Sequence, residues 1–456
     1  MVVKNILDTI GNTPMIELTH TDTGMCRLFL KLENQNPGGS IKDRIGLSMI
    51  SEAERQGKIK PGDTIVEATA GNTGLGLALV SRLKGYKLIL VIPDKMSQEK
   101  INHLRALDVE LIITRSDVGK GHPEYYQDYA ERIARERGGY YINQFENPAN
   151  PLAHETSTGP EIWEQMEHQV DAVVLGVGSS GTITGLSRFF SNVSPQTSFI
   201  LADPEGSILA DYINKGILRT DAGSWLVEGI GEDFIPSIAD FAKTKQAYTV
   251  SDKESFEAVR NLLRQEGILA GSSTGTLLSA AIKYCKEQTT PKRVVTIACD
   301  SGNKYLSKMY NNYWLQDLRL IEREQFGDLR DIISRRYEDN SIIYALPNDT
   351  LKSVYTKFKH YDISQLPVLN KNKVVGIIDE SDLLLALCQH EDARNFPVEY
   401  VMTKKITTIT YTSSEKKLAN FLIAGLTAIV VDEQNNFEGL ITKIDFINYL
   451  QQKGNI

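Results

Sequence analysis

The chain has 456 residues, of which 41% are hydrophobic and 24% are charged. This length is too great for one ordinary core, so we expect two or three domains of a soluble globular protein. Acidic residues outnumber basic ones by 58 to 50, and the net charge of −8 argues against nucleic acid and anionic membranes as partners.

The four cysteines, Cys26, Cys285, Cys299 and Cys388, lie far apart in the chain. They form neither a CxxC pair nor a metal-binding spacing, and the histidines are also scattered, so we expect no metal site. No apolar run approaches membrane-spanning length, and the first residues do not resemble a signal peptide. These features predict a cytoplasmic protein without membrane contact.

The first unusual stretch is residues 36–44, with the sequence NPGGSIKDR. This loop delivers Lys42 to the start of a helical pattern. Unpaired backbone N–H groups and the positive dipole end at a helix start lower the pKa of a lysine. The neutral amine is the form that attacks a carbonyl to form a Schiff base. The loop therefore predicts a nucleophilic lysine, although a lone lysine is usually an exposed loop residue.

From residue 64 to about residue 298, short apolar strands alternate with helical patterns. This order predicts an α/β fold whose parallel sheets are covered on both faces, with ligands at the carboxyl ends of the strands. The predicted strands cover 64–67, 87–92, 109–113, 171–175, 199–202 and 293–298, and the predicted helices cover 97–107, 124–137, 155–167, 253–265 and 276–286.

Three loops in this region are rich in Gly, Ser and Thr. Residues 69–76 (TAGNTGLG) suit an anion at a helix start, or a turn for close helix packing. Residues 176–182 (GVGSSGT) satisfy GxGxxG, with Asp203 ending the next strand, so they fit either a nicotinamide dinucleotide or a single phosphate. Residues 270–275 (AGSSTG) lie between two helical patterns and alone indicate only a helix N-cap.

Together, NPGGSIKDR and these loops resemble the β-family, or fold type II, pyridoxal phosphate enzymes, which share the fold of the tryptophan synthase β subunit. The resemblance covers about residues 4–315 and implies two parallel-sheet subdomains. It implies that Lys42 holds the cofactor and acts as the catalytic base, that Asn72 reaches the phenolic oxygen, and that Ser273 bonds the pyridine nitrogen. A Ser partner leaves that nitrogen essentially neutral, which favours β-elimination and replacement. The residues that the resemblance places at the cofactor phosphate are Gly178, Ser179, Ser180, Gly181 and Thr182.

The resemblance also places the substrate carboxylate in the loop that begins at Thr69. The family usually has Ser where this chain has Ala70, so a hydroxyl is missing there. In the phosphate loop two serines replace residues of the family's usual GTGGT. The implied substrate-binding residues are Thr69, Ala70, Gly71, Thr73, Phe145, Gly229 and Gly231.

Other phrases favour one branch of the family. Residues 203–209 (DPEGSIL), 228–231 (EGIG) and 150–154 (NPLAH) resemble cystathionine β-synthases. This likeness implies condensation of serine with homocysteine in transsulfuration, with hydrogen sulfide release from cysteine as a side activity. Residues 144–148 (QFENP) are closer to cysteine synthases, because animal cystathionine β-synthases have Tyr where this chain has Phe145. Cysteine synthesis from O-acetylserine and sulfide is therefore the alternative.

Animal members carry a haem-binding Cys/His segment before the catalytic core. Here the core phrase TIGNTP occurs at residues 9–14, so we expect no haem.

The tail contains a repeat. Residues 366–370 match 428–432 and residues 376–382 match 439–445, roughly 60 residues apart, which predicts two copies of one small α/β unit. The copies resemble the regulatory modules named after cystathionine β-synthase. We expect a catalytic domain at 1–316, a linker at 317–340, and modules at 341–395 and 396–456.

In such modules a Thr and an Asp, three residues apart, bond the ribose of an adenosyl ligand such as S-adenosylmethionine. Thr442 and Asp445 match these positions, whereas Asp379 in the first copy would repel phosphates. Pairs of modules also mediate oligomers, so we expect a homodimer or a higher homo-oligomer.

Two further interpretations stay open. An inactive core could leave adenosyl sensing by the tail as the function, although Lys42, Asn72, residues 178–182 and Ser273 are intact. A dinucleotide oxidoreductase would leave the lysine loop unexplained.

Overall fold

A computed structural model describes residues 2–69, 71–94, 96–119, 121–339 and 341–454. The chain divides into two compact units, Met1–Asn311 and Asn312–Ile456. Among the helices of the described residues, none has the length and the apolar character needed to cross a membrane.

The first unit contains two sheets flanked by helices. Its strands are β1 (Met15–Glu17), β2 (Arg27–Lys31), β3 (Thr64–Ala68), β4 (Lys87–Pro93), β5 (Glu110–Thr114), β6 (Tyr140–Tyr141), β7 (Ala172–Leu175), β8 (Ser198–Pro204), β9 (Thr244–Val250) and β10 (Arg293–Ile297). Its helices are α1 (Lys42–Arg55), α2 (Asn72–Lys84), α3 (Gln98–Ala106), α4 (Tyr126–Arg137), α5 (Ala149–Ala153), α6 (Gly159–Gln165), α7 (Gly181–Val193), α8 (Leu209–Lys215), α9 (Asp252–Glu266) and α10 (Ser272–Lys286).

The larger sheet has the order β1-β2-β10-β7-β8-β9, and the smaller has the order β5-β4-β3-β6. All neighbouring strands are parallel except the antiparallel pair β1 and β2. The strand interiors are buried because helices cover both faces, which explains continuous apolar runs such as LILVI in β4. The predicted α/β fold with two parallel-sheet subdomains is confirmed, whereas β1, β2, β6 and β9 were not predicted.

Two helices differ from their predicted bounds. The predicted helix 155–167 is interrupted by a π-helical turn at His154–Thr158, which joins α5 to α6. Pro160 has no N–H, so the regular i→i−4 hydrogen bonds cannot run through this segment. The predicted helix at 276–286 begins earlier, at Ser272, because Gly271 serves as the N-cap.

The second unit repeats a strand hairpin followed by a helix, β11-β12-α13 and β14-β15-α15. Both hairpins are antiparallel, and β13 pairs in parallel with β14. The predicted tandem α/β pair is therefore confirmed. The elements are α11 (Asn312–Asp317), α12 (Leu351–Tyr361), β11 (Gln365–Asn370), β12 (Lys373–Asp379), α13 (Glu380–Gln389), β13 (Thr408–Thr410), α14 (Glu415–Ile423), β14 (Ala428–Val431), β15 (Phe437–Ile441) and α15 (Lys443–Gln452).

Each unit has its own hydrophobic core. In the second unit, Leu329, Ile332 and Ile333 are buried in one cluster with Ile409 and Leu418 of the second repeat. Although these three residues precede the first repeat in the chain, they pack into the core of the second repeat.

Candidate active site

A cavity of about 420 Å³ lies in the first unit, where β3, β7 and β10 end. Its position at the carboxyl ends of parallel strands is where α/β sheets bind ligands. The cavity brings together every predicted site residue of this unit that the structure describes, while Ala70 lies outside the described residues. These lining residues are Lys42, Thr69, Gly71, Asn72, Thr73, Phe145, Gly178, Ser179, Ser180, Gly181, Thr182, Gly229, Gly231 and Ser273.

Lys42 is the first residue of α1 and reaches the cavity wall. Burial lowers the pKa of its amine, and the nearby Cys299 and Glu232 oppose that effect. Within the part of the chain that the structure describes, no hydrogen bond to the Lys42 amine shifts its pKa. A neutral amine is therefore more accessible at Lys42 than at an exposed lysine, as proton abstraction and nucleophilic attack require.

The loop that delivers Lys42 is stabilised by a buried ion network. Arg44 binds Glu33 at 2.7 Å and Glu161 at 2.6 Å, and Lys31 binds Glu161 at 2.7 Å. Burial works to raise the pKa of Glu161, but Arg44 and Lys31 outweigh it and lower the pKa to about 2. Because Arg44 binds both carboxylates at once, the network fixes the first turn of α1.

The Asn72 amide is held on both sides. Its Nδ2 donates to Asp300 at 2.7 Å, and its Oδ1 accepts from Lys304 at 2.8 Å. Lys304 can only donate and the Asp300 carboxylate can only accept, so the orientation of the amide is fixed. This arrangement leaves one Nδ2–H of Asn72 for a ligand in the cavity.

The loop before α7 has the form of a phosphate site. A Cβ on Gly181 would lie 1.8 Å from Asn150 Oδ1, and one on Gly178 would lie 2.6 Å from the carbonyl oxygen of Gly229. Ser180 has a φ of 67°, and its buried hydroxyl has no hydrogen-bond partner in the described ranges. Free N–H groups at the start of a helix, a close backbone approach and an unpaired hydroxyl fit a phosphate group.

Two neighbouring residues support this loop from α5 and the π-helical turn. Asn150 donates to Ser179 Oγ at 3.0 Å, and His154 Nε2 lies 3.3 Å from Thr182 Oγ1. Burial lowers the pKa of His154 well below its ordinary value, and the positive charges of Lys42 and Arg44 add to that effect. The ring is therefore neutral, and it adds no positive charge beneath the loop.

Asp203 does not serve the dinucleotide interpretation. It is fully buried, its Oδ2 accepts the N–H of Ala210 at 2.8 Å, and burial raises its pKa to about 6. Such a carboxylate caps α8 and is inaccessible to a ribose hydroxyl.

Ser273 lies in the first turn of α10 rather than in a loop, and it faces Cys299. Burial and Asp300 raise the pKa of the Cys299 thiol to about 12, and a hydrogen bond from Ser273 opposes the shift. The cavity wall at this point is therefore neutral, with a hydroxyl and an un-ionised thiol.

The loop after β3 depends on Gln144. Thr73 Oγ1 donates to Gln144 Oε1 at 2.7 Å, and Gln144 Nε2 donates to Glu67 Oε1 at 3.2 Å. Burial raises the pKa of Glu67 to about 8, so this side chain is a neutral acid at lower pH. The Thr73 hydroxyl is thus oriented by two residues that do not belong to its own loop.

Sequence reasoning missed several members of this site. Gln144 and Asn150 belong to phrases that distinguished branches of the family, and Asp300 follows a predicted strand, so each had a signal. Lys304 had none. No group of three or more His, Cys, Asp or Glu could hold a metal ion in the described parts of the chain.

In the second unit, Thr442 and Asp445 contact each other. The backbone N–H and the hydroxyl of Thr442 donate to Asp445 Oδ2 at 2.7 and 2.6 Å, and Ser334 donates to Asp445 Oδ1. Asp379 caps α13 in the first repeat in the same way, through Ser381 and Asp382. The predicted ligand residues therefore form a helix cap in this structure.

Comparison with protein families identifies two kinds of domain in the chain. Residues 6–300 match the model described as "Pyridoxal-phosphate dependent enzyme". Residues 329–389 and 398–452 each match the CBS domain.

Similar proteins extend over nearly the whole chain. A cystathionine beta-synthase of Dictyostelium discoideum is 35% identical over 99% of this chain and 93% of the relative. One of Saccharomyces cerevisiae is 34% identical over 98% of this chain and 97% of the relative.

Solved structures match about two thirds of the chain. A hydrogen sulfide-producing enzyme from Fusobacterium nucleatum is 35% identical over 67% of this chain and all of that chain, with a TM-score of 0.63. An O-acetylserine dependent cystathionine beta-synthase from Helicobacter pylori is 36% identical over 68% of this chain and 98% of that chain, with a TM-score of 0.62.

Proposed function

Because the chain belongs to the cystathionine beta-synthase family of pyridoxal-phosphate dependent enzymes, we propose that it condenses serine with homocysteine to give cystathionine and water. The observation that supports this proposal best is the convergence of Lys42, Asn72 and residues 178–182 on one cavity, in a chain whose relatives share its length.

The cavity fits the cofactor of this family. The loop at residues 178–182 would hold the phosphate, Asn72 the phenolic oxygen, Ser273 the pyridine nitrogen, and Lys42 the aldehyde carbon. When bound, pyridoxal phosphate supplies an electron-withdrawing ring that makes the Cα–H of an amino acid acidic and its β-substituent a leaving group.

Lys42 carries the proton transfers of this mechanism. Its amine, with a pKa lowered by burial, takes the Cα proton of serine. As an ammonium it then protonates the departing hydroxyl, which leaves as water. The homocysteine thiolate forms the new C–S bond at Cβ, and the proton from the thiol returns to Cα through Lys42.

The loop after β3 is the proposed site of the substrate carboxylate. Thr69, Gly71 and Thr73 line the cavity there, and the role of Ala70 stays a prediction. Gly229, Gly231 and Phe145, whose ring has no hydroxyl, also line the cavity. The Glu232 carboxylate, near Lys42, favours the ammonium form that protonates the leaving group.

Product analysis tests this proposal. The purified protein receives serine with homocysteine in one reaction and O-acetylserine with sulfide in another, and Lys42→Ala serves as the background. Cystathionine formed well above the rate of cysteine supports the proposal. Cysteine as the dominant product would assign a cysteine synthase instead. Product at the same rate from Lys42→Ala would contradict the role of Lys42.

For the tail, we propose that Thr442 and Asp445 bind the ribose of an adenosyl ligand. The support is the resemblance of the second repeat and the matching CBS domain. The proposed division remains a catalytic domain at 1–316, a linker at 317–340, and modules at 341–395 and 396–456.

We also propose a homodimer or a higher homo-oligomer. Three apolar side chains of the tail are exposed to solvent, Leu384 by 64%, Leu385 by 58% and Ile444 by 60%, as association surfaces are. Light scattering on the protein as it elutes from a size-exclusion column measures the mass of the oligomer and tests this proposal. A cytoplasmic location is proposed as well, because all four cysteines are free thiols.

A further inference from the structure

Lys304 is a buried lysine next to the proposed cofactor site. It lies in the 3-10 turn Gly302–Tyr305, and only 7% of the residue is exposed. Its ammonium donates to three oxygens, at 2.8 Å to Asn72 Oδ1, at 3.1 Å to the carbonyl of Gly38 and at 3.2 Å to the carbonyl of Gly39. One side chain therefore connects the loop that delivers Lys42 with the amide at the start of α2.

The number of donors matches the number of acceptors. A lysine ammonium has three N–H groups, and each has one acceptor here, whereas a neutral amine has only two. Loss of the proton therefore removes one hydrogen bond, either from the amide of Asn72 or from the Gly38–Gly39 turn. If the lost hydrogen bond is the one to Asn72, its amide is held only by Asp300, which continues to accept from Nδ2.

We propose that Lys304 is a positioning residue, which holds the Asn72 amide and the Gly38–Gly39 turn in the arrangement that binds pyridoxal phosphate, and that binding weakens when Lys304 loses its proton or its side chain. The inference rests on the proposed roles of Lys42 and Asn72, and it adds a residue that neither the motifs nor the loops indicate.

Burial and the charges around Lys304 set the pH at which it loses its proton. Burial lowers its pKa to about 8, Asp300 and Asp43 oppose the shift, and Lys100 adds to it. Among the residues that the structure describes, the other titratable groups facing it are His103, whose pKa is lowered by burial and by Lys304, and Tyr305, whose pKa is raised well above its ordinary value, chiefly by burial. Lys304 is thus charged below about pH 8 and neutral above it.

The test measures noncovalent affinity rather than turnover. In a Lys42→Ala background, which removes covalent attachment, the apoprotein is titrated with pyridoxal phosphate by fluorescence from about pH 6.5 to 9.5. Lys304→Met keeps the apolar stem and loses all three donors. Lys304→Gln keeps two donors and has no proton to lose. Ionisation of the cofactor itself is common to all variants, so differences between them report on Lys304.

Lys243→Met is the matched control. Lys243 is also partly buried, burial lowers its pKa, and it donates to the carbonyl of Pro195 at 2.7 Å, but it does not line the cavity. We expect this variant to bind as the background protein does.

In the background protein, affinity falls as the pH rises through about 8. At pH 7 we expect Lys304→Met to bind about ten-fold more weakly, which corresponds to about one hydrogen bond to a charged group. Lys304→Gln has intermediate affinity, with a smaller fall. Lys304→Met affinity equal to the background, or a fall in Lys304→Gln as large as in the background, would overturn the proposal. If Lys304→Met does not fold, Lys304→Gln alone decides.

The failure of the inference is distinguishable from that of the cofactor site. A Lys42→Ala background that binds no pyridoxal phosphate at any pH would overturn the proposed site and this inference with it. Normal binding that is insensitive to Lys304 would overturn the inference alone.

Discussion

At Gly181 the backbone of the phosphate loop has no room for a side chain, because the nearest atoms to an added Cβ all belong to Asn150. Gly181→Ala should therefore lower the free energy of unfolding by about 1–3 kcal/mol. It should also weaken the binding of pyridoxal phosphate, because the loop must move away from α5. Denaturant unfolding and cofactor titration measure the two effects.

The double variant Gly181→Ala with Asn150→Ala isolates this contact. Removing the Asn150 side chain relieves the overlap, so the double variant should be more stable than the sum of the single changes predicts, with a coupling energy of about 1 kcal/mol or more. Strict additivity would show that Asn150 is not what excludes a side chain at residue 181.

Glu67 is a buried acid whose pKa is raised by burial from 4.5 to about 8. Between these values the folded protein holds a proton that the unfolded chain releases, so the stability that Glu67 contributes at low pH is lost as the pH rises. Glu67→Gln removes this dependence. Relative to native protein, its unfolding free energy should rise by about 1.4 kcal/mol per pH unit from pH 4.5 to 8.

Unfolding curves at several pH values test this expectation, with Glu136→Gln as a control on an exposed residue of α4. A constant difference between Glu67→Gln and native protein across this range would mean that Glu67 is ionised throughout.

At the scale of the elements, α1 carries two Arg–Glu pairs in different surroundings. Arg44 and Glu33 are buried, whereas the Arg55 side chain is 72% exposed beside Glu52. Arg44→Met leaves the buried Glu33 carboxylate without its ion-pair partner and leaves Glu161 with Lys31 alone, so we expect a loss of about 3–5 kcal/mol in the free energy of unfolding. Arg55→Met should leave it nearly unchanged, since water screens that pair.

Cofactor affinity distinguishes a local from a global effect of Arg44. The network holds the first turn of α1, so Arg44→Met should weaken the binding of pyridoxal phosphate under conditions in which the protein is folded. Equal free energies of unfolding for Arg44→Met and Arg55→Met would show that the buried network stabilises the fold no more than an exposed pair does.

Local sequence accounts for those parts of the site that lie on one loop. The alternation of strands and helices predicted both sheets, and the loops after β3 and β7 carry their chemistry in adjacent residues. Ser273 was expected in a loop, because propensity alone does not show that Gly271 can cap a helix that starts with Ser272. Lys304 has no local pattern, since it acts only through contacts made by folding.

At the scale of the whole molecule, the proposals give each unit a ligand site of its own. Calorimetric titration of the full chain with S-adenosylmethionine should release heat, and Asp445→Ala should weaken binding at least about ten-fold, because ribose hydroxyls lose a charged acceptor. The ligand must compete with Thr442 and Ser334 for that carboxylate.

Asp382→Ala is the matched control, because Asp382 takes the position of Asp445 in the first repeat. Its binding heat should equal that of native protein. Equal weakening in both variants would mean that the first repeat also binds, and no heat in native protein would contradict the adenosyl proposal.

On the proposed role of Lys304, its contacts also set the time at which this protein can first bind its cofactor during synthesis. Lys304 follows Gly38 by 266 residues and Asn72 by 232 residues. The ribosome therefore releases the loop that carries Lys42 long before it releases Lys304. Contacts at such separations form late in folding. Until then Lys42 is solvated, with the ordinary lysine pKa of about 10.4, and is mostly an ammonium, which is not the nucleophilic form. On the proposed role of Lys304, cofactor capture therefore follows completion of the first unit.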